Sequence, residues 1–86
     1  MQVAISYFGR PSEFLLMTSE MMAIPEQPHT LAQVLAQLRK RGENWAYELD
    51  EQHVICAVNK KLAKFSDTLT EGDEISLFSN KSIFDL

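Results

Sequence analysis

Residues 54–86 of the chain read VICAVNKKLAKFSDTLTEGDEISLFSNKSIFDL, and this stretch decides the fold. Its first run, VICAV at residues 54–58, is apolar and rich in β-branched side chains, as is typical of a strand covered on both faces. A polar break at residues 59–61 separates it from a second apolar run at residues 62–65. The pattern therefore predicts two neighbouring strands joined by a short polar turn.

A turn and a third strand complete this stretch. Gly72 lies in the polar segment LTEGDE, where a glycine can adopt a positive φ without steric cost. The apolar run at residues 75–78 follows and predicts the last strand. We therefore expect a domain at residues 1–78 and an exposed C-terminal tail at residues 79–86.

The N-terminal part of the chain predicts two further strands and a short helix. Residues 2–8 alternate between two faces and contain several β-branched and aromatic side chains, which indicates a strand. Pro11 then precedes an apolar segment at residues 13–17, where we expect a short helix. Residues 21–24 predict a second strand that is antiparallel to the first.

The clearest helix of the sequence begins after Thr30. Thr30 and Gln33 have the spacing of a capping box, in which each residue hydrogen-bonds the backbone of the other. Gly42 is expected to end the helix in a left-handed conformation, and the basic residues 39–41 complement the helix dipole. Four aliphatic residues form one stripe at helical spacing and are predicted to fill the core: Leu31, Val34, Leu35 and Leu38.

The segment between this helix and the third strand, residues 43–51, is short and mixed in character. It predicts a helical turn in which Trp45 covers the edge of the core, with a ligand-stacking role for Trp45 as the alternative. The predicted order is strand, strand, helix, strand, strand, strand. Because one main helix covers one face of a sheet, the other apolar face is expected to stay partly open for a partner.

Composition and charge exclude several classes of function. The 86 residues carry a net charge of −4 and show no basic stripe, so nucleic acid is not an expected partner. No signal-like segment and no apolar run of membrane-spanning length is present, so we expect a cytoplasmic protein that does not bind membranes. Cys56, the one cysteine, lies inside a predicted strand and is expected to be a buried core residue.

The sequence offers no self-contained active site. His29 and His53 are far apart and form no metal-ligand spacing with Cys56. No serine lies in a nucleophile-elbow pattern, and no glycine-rich loop is suited to phosphate. The acidic residues around Gly72 lack the spacing of a calcium loop and are expected to form a solvated turn. We therefore predict no catalytic residue, no metal and no cofactor, and expect a module that acts through another protein.

Several blocks of the sequence together resemble the small subunit of molybdopterin synthase, a family of ubiquitin-like sulfur carriers. VAISYF at residues 3–8 is followed by a short helix, and NWAYEL at residues 44–49 occupies the middle of the chain. AVN at residues 57–59 and LTEGDEI at residues 69–75 then precede Phe78. The resemblance covers nearly the whole chain, as far as about Phe78.

This resemblance implies both a fold and a set of partners. The fold is an α+β, ubiquitin-like β-grasp, with a mixed sheet of four to five strands, one main helix packed across it and one or two short helical turns. Family members present a C-terminal tail whose carboxylate is adenylated by an activating enzyme and converted to a thiocarboxylate. The tail then enters the large synthase subunit. The resemblance therefore implies molybdenum cofactor biosynthesis, a hetero-oligomer and a carrier subunit that is not itself catalytic.

The tail departs from the family pattern, which ends in two glycines. No glycine follows Gly72 in the 86 residues, and Ile83 and Phe84 stand near the expected positions. We therefore expect a tail that docks without carrying sulfur; the alternative is a non-catalytic β-grasp interaction or regulatory module. Five tail residues are the predicted partner-binding residues: Ser82, Ile83, Phe84, Asp85 and Leu86.

The tail sequence generates a first prediction. We expect the 86-residue chain to keep its mass after incubation with a cognate activating enzyme, ATP and a sulfur donor, because no terminal diglycine is available. Intact-mass spectrometry checks this, with a glycine-ended family member as the positive control. Exchange of one oxygen for sulfur would contradict the prediction.

Overall fold

The computed structural model describes residues 1–81 of the chain, and they form a five-stranded sheet with three helices. The elements in chain order are β1 (Gln2–Tyr7), α1 (Arg10–Leu15), β2 (Ser19–Ala23), α2 (Leu31–Arg39), α3 (Glu43–Glu48), β3 (Val54–Val58), β4 (Lys61–Leu62) and β5 (Glu74–Ser79).

The sheet is mixed, with the strand order β2-β1-β5-β3-β4. β1 and β5 pair in parallel at its centre, whereas β2 on one side and β3 and β4 on the other pair antiparallel with their neighbours. Because β1 and β5 are parallel, the chain between them must return from one end of the sheet to the other, and helices form part of this connection. This arrangement confirms the predicted α+β, β-grasp architecture with one main helix.

The main helix, α2, forms as the sequence predicts. The Thr30 hydroxyl accepts a hydrogen bond from the Gln33 amide at 3.3 Å, and the Gln33 side chain accepts one from the Thr30 amide at 2.7 Å. This capping box satisfies backbone donors that the first helical turn leaves unpaired. The four residues of the predicted stripe are completely buried and lie in the core: Leu31, Val34, Leu35 and Leu38.

The end of α2 differs from the prediction for Gly42. The helix ends at Arg39, and Lys40 caps it in a right-handed conformation, with its amide bonded to the carbonyls of Gln37 and Leu38. Gly42 has an extended backbone, with a φ of 160°, and is the N-cap of α3. The prediction that Gly42 ends α2 in a left-handed conformation is therefore wrong. The Lys40 amide already bonds carbonyls of the last turn of α2, and the chain passes directly into α3.

The short elements confirm the predicted strands and helices but shift their bounds. α1 begins at Arg10, with Pro11 in its first turn, and ends at Leu15 instead of residue 17. β2 begins at Ser19, two residues earlier than predicted. The apolar run after the β3–β4 turn contributes little to the sheet: β4 contains two residues, because the following side chains turn inward and pack against the core.

The basic residues at the end of α2 do more than complement its dipole. Arg41 forms two hydrogen bonds with the Glu20 carboxylate on β2, at 2.7 and 2.9 Å, and Tyr7 donates a third at 2.7 Å. The bonds from Arg41, opposed by burial and reinforced by Tyr7, lower the pKa of Glu20. Arg39 donates to the Leu49 carbonyl at 2.9 Å. The contact of Arg41 joins the end of α2 to the edge strand β2, and the contact of Arg39 joins α2 to the end of α3.

Trp45 lies at the edge of the core, as predicted. It is partly buried and packs against the core. Its ring forms an edge-to-face contact with the Tyr7 ring, and the two ring centres are 5.8 Å apart. The Arg41 guanidinium lies 4.7 Å from the centre of the Trp45 ring. Both contacts are internal, so Trp45 has a packing role in this fold.

The turn between β3 and β4 contains two residues with positive φ. Asn59 has a φ of 52° and Lys60 a φ of 70°, and the flanking Val58 and Lys61 pair directly. Two positive φ values are typical of the tight turns whose twist matches that of a hairpin. A lysine in this conformation is unfavourable by roughly 1–2 kcal/mol, so other contacts must stabilise the turn.

The side chain of Asn59 provides those contacts by joining the turn to the start of β5. Its amide donates to the Asp73 carboxylate at 2.9 Å, and its oxygen accepts from the Glu74 amide at 3.0 Å. Thr70 donates to the same carboxylate from its amide at 2.8 Å and from its hydroxyl at 3.0 Å. Asp73 is buried, so the prediction of a solvated acidic turn is wrong for this residue.

The Asp73 carboxyl group is affected by two opposing influences. Burial tends to raise its pKa, but the hydrogen bonds from Thr70 and Asn59 outweigh burial and lower the pKa below its ordinary value of 3.8. A carboxyl group with a lowered pKa stabilises the fold at pH values above 3.8. This stabilisation is lost as the pH falls through the pKa of the folded state.

We expect Asp73→Asn to lower the free energy of unfolding by about 1–3 kcal/mol at neutral pH, because the introduced amide cannot accept all the hydrogen bonds of the carboxylate. The difference from the unsubstituted protein should shrink as the pH falls below 3.8. Urea unfolding at a series of pH values measures it. Glu26→Gln, which replaces an exposed carboxylate in the loop before α2, is the control. A difference that stays constant down to acid pH would refute this account.

Candidate partner-binding face

Within residues 1–81, no helix or strand covers the face of the sheet opposite the three helices. In β1 and β5 the side chains alternate, so that Val3, Ile5, Ile75 and Leu77 enter the core while their neighbours point outward. The strand register aligns four small or apolar residues in one row across this outer face: Ser6, Ser76, Ala57 and Leu62. For residues 1–81, the sequence prediction of a partly open second face is confirmed.

A groove of about 500 Å³ runs along this outer face. On one side, Phe8 and Phe78 stack with their ring centres 5.0 Å apart and their planes 14° from parallel. On the other side stands Leu62, which is 82% exposed. The small side chains of the row form the floor between them. The residues lining the groove are Ser6, Phe8, Ala57, Lys60, Leu62, Glu74, Ser76 and Phe78.

The groove has apolar side chains on both sides of its floor and also has polar and charged lining residues. Phe8 is 45% exposed, so two large apolar side chains, Phe8 and Leu62, face water on opposite sides of a floor of small residues. Lys60 and Glu74 contribute one charge of each sign to the lining. Exposed apolar patches with polar surroundings are typical of protein-interaction sites.

The groove lining within residues 1–81 offers apolar, hydroxyl and charged side chains. No histidine or cysteine lines the groove, and residues 1–81 contain no group of side chains suited to hold a metal ion. Burial, together with the nearby charge of Glu51, raises the pKa of the Cys56 thiol to about 12, so this thiol stays protonated at neutral pH. No helix within residues 1–81 combines the length and hydrophobicity that a membrane span requires.

A second hollow, of about 430 Å³, lies beside the β3–β4 turn and is more polar. Both carboxylates in its lining are already hydrogen-bonded. Asp73 accepts from Asn59 and Thr70, and Asp67 accepts from the Lys64 amide at 3.0 Å. This hollow is therefore a weaker candidate than the groove.

The tail residues predicted to bind a partner lie outside the described residues: Ser82, Ile83, Phe84, Asp85 and Leu86. The groove residues were not assigned this role from the sequence. Their signal was the period-two alternation of β1 and β5, which places Phe8 and Phe78 outward. Leu62 gave no such signal, because its outward position depends on the turn at Asn59 and Lys60.

Comparison with known proteins identifies the family. The protein-family model described as the ThiS family matches residues 5–79 of the sequence. The chain belongs to the ThiS family. No curated protein matches it in sequence. As a ThiS-family protein it has a sulfur-carrier-like, ubiquitin-like β-grasp fold, and the match includes the groove and the whole of β5.

Solved structures similar to this ThiS-family chain support the same fold. A putative molybdopterin converting factor subunit 1 from Pyrococcus furiosus has a TM-score of 0.78 at 24% identity, covering 91% of this chain and 95% of the other. A complex of subunits 1 and 2 of molybdopterin-converting factor from Helicobacter pylori has a TM-score of 0.66 at 21% identity, covering 92% of this chain and 93% of the other. Small archaeal modifier protein 1 from Haloferax volcanii gives 0.65 at 20% identity, covering 90% and 94%.

Proposed function

We propose that this ThiS-family protein acts in molybdenum cofactor biosynthesis as a small subunit of molybdopterin synthase that docks on a large subunit through its open groove. The observation that carries the proposal is the position of the groove. Phe78 forms part of its wall and is the second-last residue of β5, so a partner bound there lies beside the start of the C-terminal tail. The likeness to a complex of molybdopterin-converting factor subunits adds support.

The groove has the features of a binding hot spot. Covering one large apolar side chain completely contributes about 1.5–3 kcal/mol, and aromatic residues at the centre of an interface often dominate its affinity. Phe8 and Phe78 are already stacked, so binding needs little further ordering of these rings. We therefore infer that an apolar side chain of the large subunit fills the space between the aromatic pair and Leu62.

The tail is the second part of this proposed interface. Ile83, Phe84 and Leu86 are apolar, and we propose that residues 82–86 enter a cavity of the large subunit. An adenylating activating enzyme is the further partner that the family resemblance implies, and we expect it to leave the mass of this chain unchanged. A cytoplasmic location and a hetero-oligomeric state are part of the same proposal.

A second candidate function follows from the groove alone. Docking through the sheet face needs no modified C-terminus, so the same geometry supports a non-catalytic β-grasp interaction or regulatory module. Binding of a different protein through the groove, without binding to the large subunit, would favour this alternative.

The groove is tested by Leu62→Asp. This substitution places a charge on the binding face at a position that is 82% exposed, so it should leave folding intact. We expect it to weaken binding to the large subunit of molybdopterin-converting factor by about tenfold or more, since a partner would have to bury the charge. Titration calorimetry measures the affinity.

Leu16→Asp is the matched control. Leu16 is 89% exposed and lies outside the groove, and its backbone φ of 53° is one that aspartate tolerates. We expect this variant to bind within about threefold of the unsubstituted chain, corresponding to less than about 0.7 kcal/mol. Equal weakening by both substitutions, or no binding by the unsubstituted chain, would overturn the proposal.

The role of the tail is tested separately by truncation after Lys81, which removes residues 82–86 and leaves β5 whole. We expect weaker binding to the large subunit because three apolar side chains are lost. A circular dichroism spectrum and a melting curve show whether the truncated domain stays folded. Unchanged affinity would exclude the tail as an anchor and leave the groove as the interface.

A further inference from the structure

The root of the C-terminal segment is fastened to the domain directly after β5. Asn80 and Lys81 are helical instead of extended, so the chain leaves the direction of the strand. The Asn80 amide donates to the His53 carbonyl at 2.9 Å, and its side chain donates to the Gln52 carbonyl at 2.7 Å. The Lys81 amide donates to the Ser79 hydroxyl at 3.0 Å.

The side chain of Lys81 extends this attachment to α3. Its ammonium group donates to the Tyr47 hydroxyl at 2.9 Å and lies 5.5 Å from the centre of the Tyr47 ring. His53 holds Tyr47 in place, since the two ring centres are 4.4 Å apart and His53 Nδ1 lies 2.9 Å from the Tyr47 carbonyl oxygen.

Tyr47 belongs to α3, so the contact of Lys81 joins the chain after β5 to a helix. α3 packs with α1 and α2 over the covered face, where Trp45 meets Tyr7 and Glu48 is buried. The groove residue Phe78 points to the opposite face. The contact with Tyr47 therefore draws Lys81 toward the helices, whereas a partner seated on the groove would lie across the sheet.

We propose that Lys81 and Tyr47 form a latch, which holds the root of the C-terminal segment on the helix-covered side and opens when a partner docks on the groove. The proposal rests on the proposed function, because docking through the groove supplies the reason for opening. While the latch is closed, Lys81 is held against α3 and is not available to a partner on the groove.

The exposure of the contact suits a reversible device. Tyr47 is 44% exposed, so water can replace the hydrogen bond when the latch opens. If only the open form of the protein binds the partner, its apparent affinity for the partner equals the affinity of the open form multiplied by the fraction of open molecules. Removing the latch should then tighten binding by about three- to tenfold.

Two variants of the full chain test the latch. Tyr47→Phe removes the hydroxyl and retains the ring against His53, and Lys81→Met removes the donor while keeping the length of the side chain. Lys64→Met is the matched control, since Lys64 is an exposed lysine that does not line the groove. Agreement between the first two variants separates the latch from a simple effect of charge, because Tyr47→Phe leaves the charge unchanged.

The first measurement uses the isolated protein. Backbone ¹⁵N relaxation reports the order of the Asn80 and Lys81 amides, and we expect lower order in Tyr47→Phe and Lys81→Met than in the unsubstituted chain and Lys64→Met. The second measurement is the affinity for the large subunit by titration calorimetry, with tighter binding expected for both latch variants.

The outcomes are distinct for the latch and for the proposed function. Unchanged amide order in both latch variants overturns the latch, whether or not the large subunit binds. Reduced order with equal or weaker binding overturns its opening on docking. Failure of the unsubstituted chain to bind, together with failure of every variant, overturns the proposed function, and the latch is then judged by the relaxation data alone.

Discussion

The parallel pairing of β1 with β5 at the centre of the sheet is the constraint on which the rest of this structure depends. It aligns Ser6 with Ser76 and brings Phe8 next to Phe78, which together form the floor and one wall of the groove. Since parallel strands end at the same edge of a sheet, it also places the start of the C-terminal segment beside the aromatic pair. The groove and the exit of the chain are thus consequences of one pairing.

The motifs that carry the family resemblance have mainly a structural role. Asn59 and Asp73 join the β3–β4 turn to the start of β5, and they stabilise two consecutive positive φ values in that turn. The β3–β4 turn also places Leu62 at the edge of the groove. A motif can therefore indicate a family through residues that shape a binding face without contacting the partner.

The sequence predicted which face of the sheet would stay open, but it predicted few of the residues that form the site on that face. The capping box at Thr30 and the stripe of α2 predicted which side of the sheet is covered, since both depend on neighbouring residues only. The burial of Asp73 was missed because its partners, Asn59 and Thr70, meet it only after the sheet has formed. Gly42 was misassigned because Lys40 caps the preceding helix with its own backbone.

The sequence by itself determined the strands, the main helix, the core stripe and a resemblance to ubiquitin-like sulfur carriers, because periodicity and short motifs act over a few residues. Only the tertiary structure decided which outward side chains meet in a groove and where Lys81 is attached. Those features join β1, β3, β4, β5 and α3, and no local pattern encodes contacts between segments that are distant along the chain. Their positions follow from strand register and helix packing, which arise only when the whole domain folds.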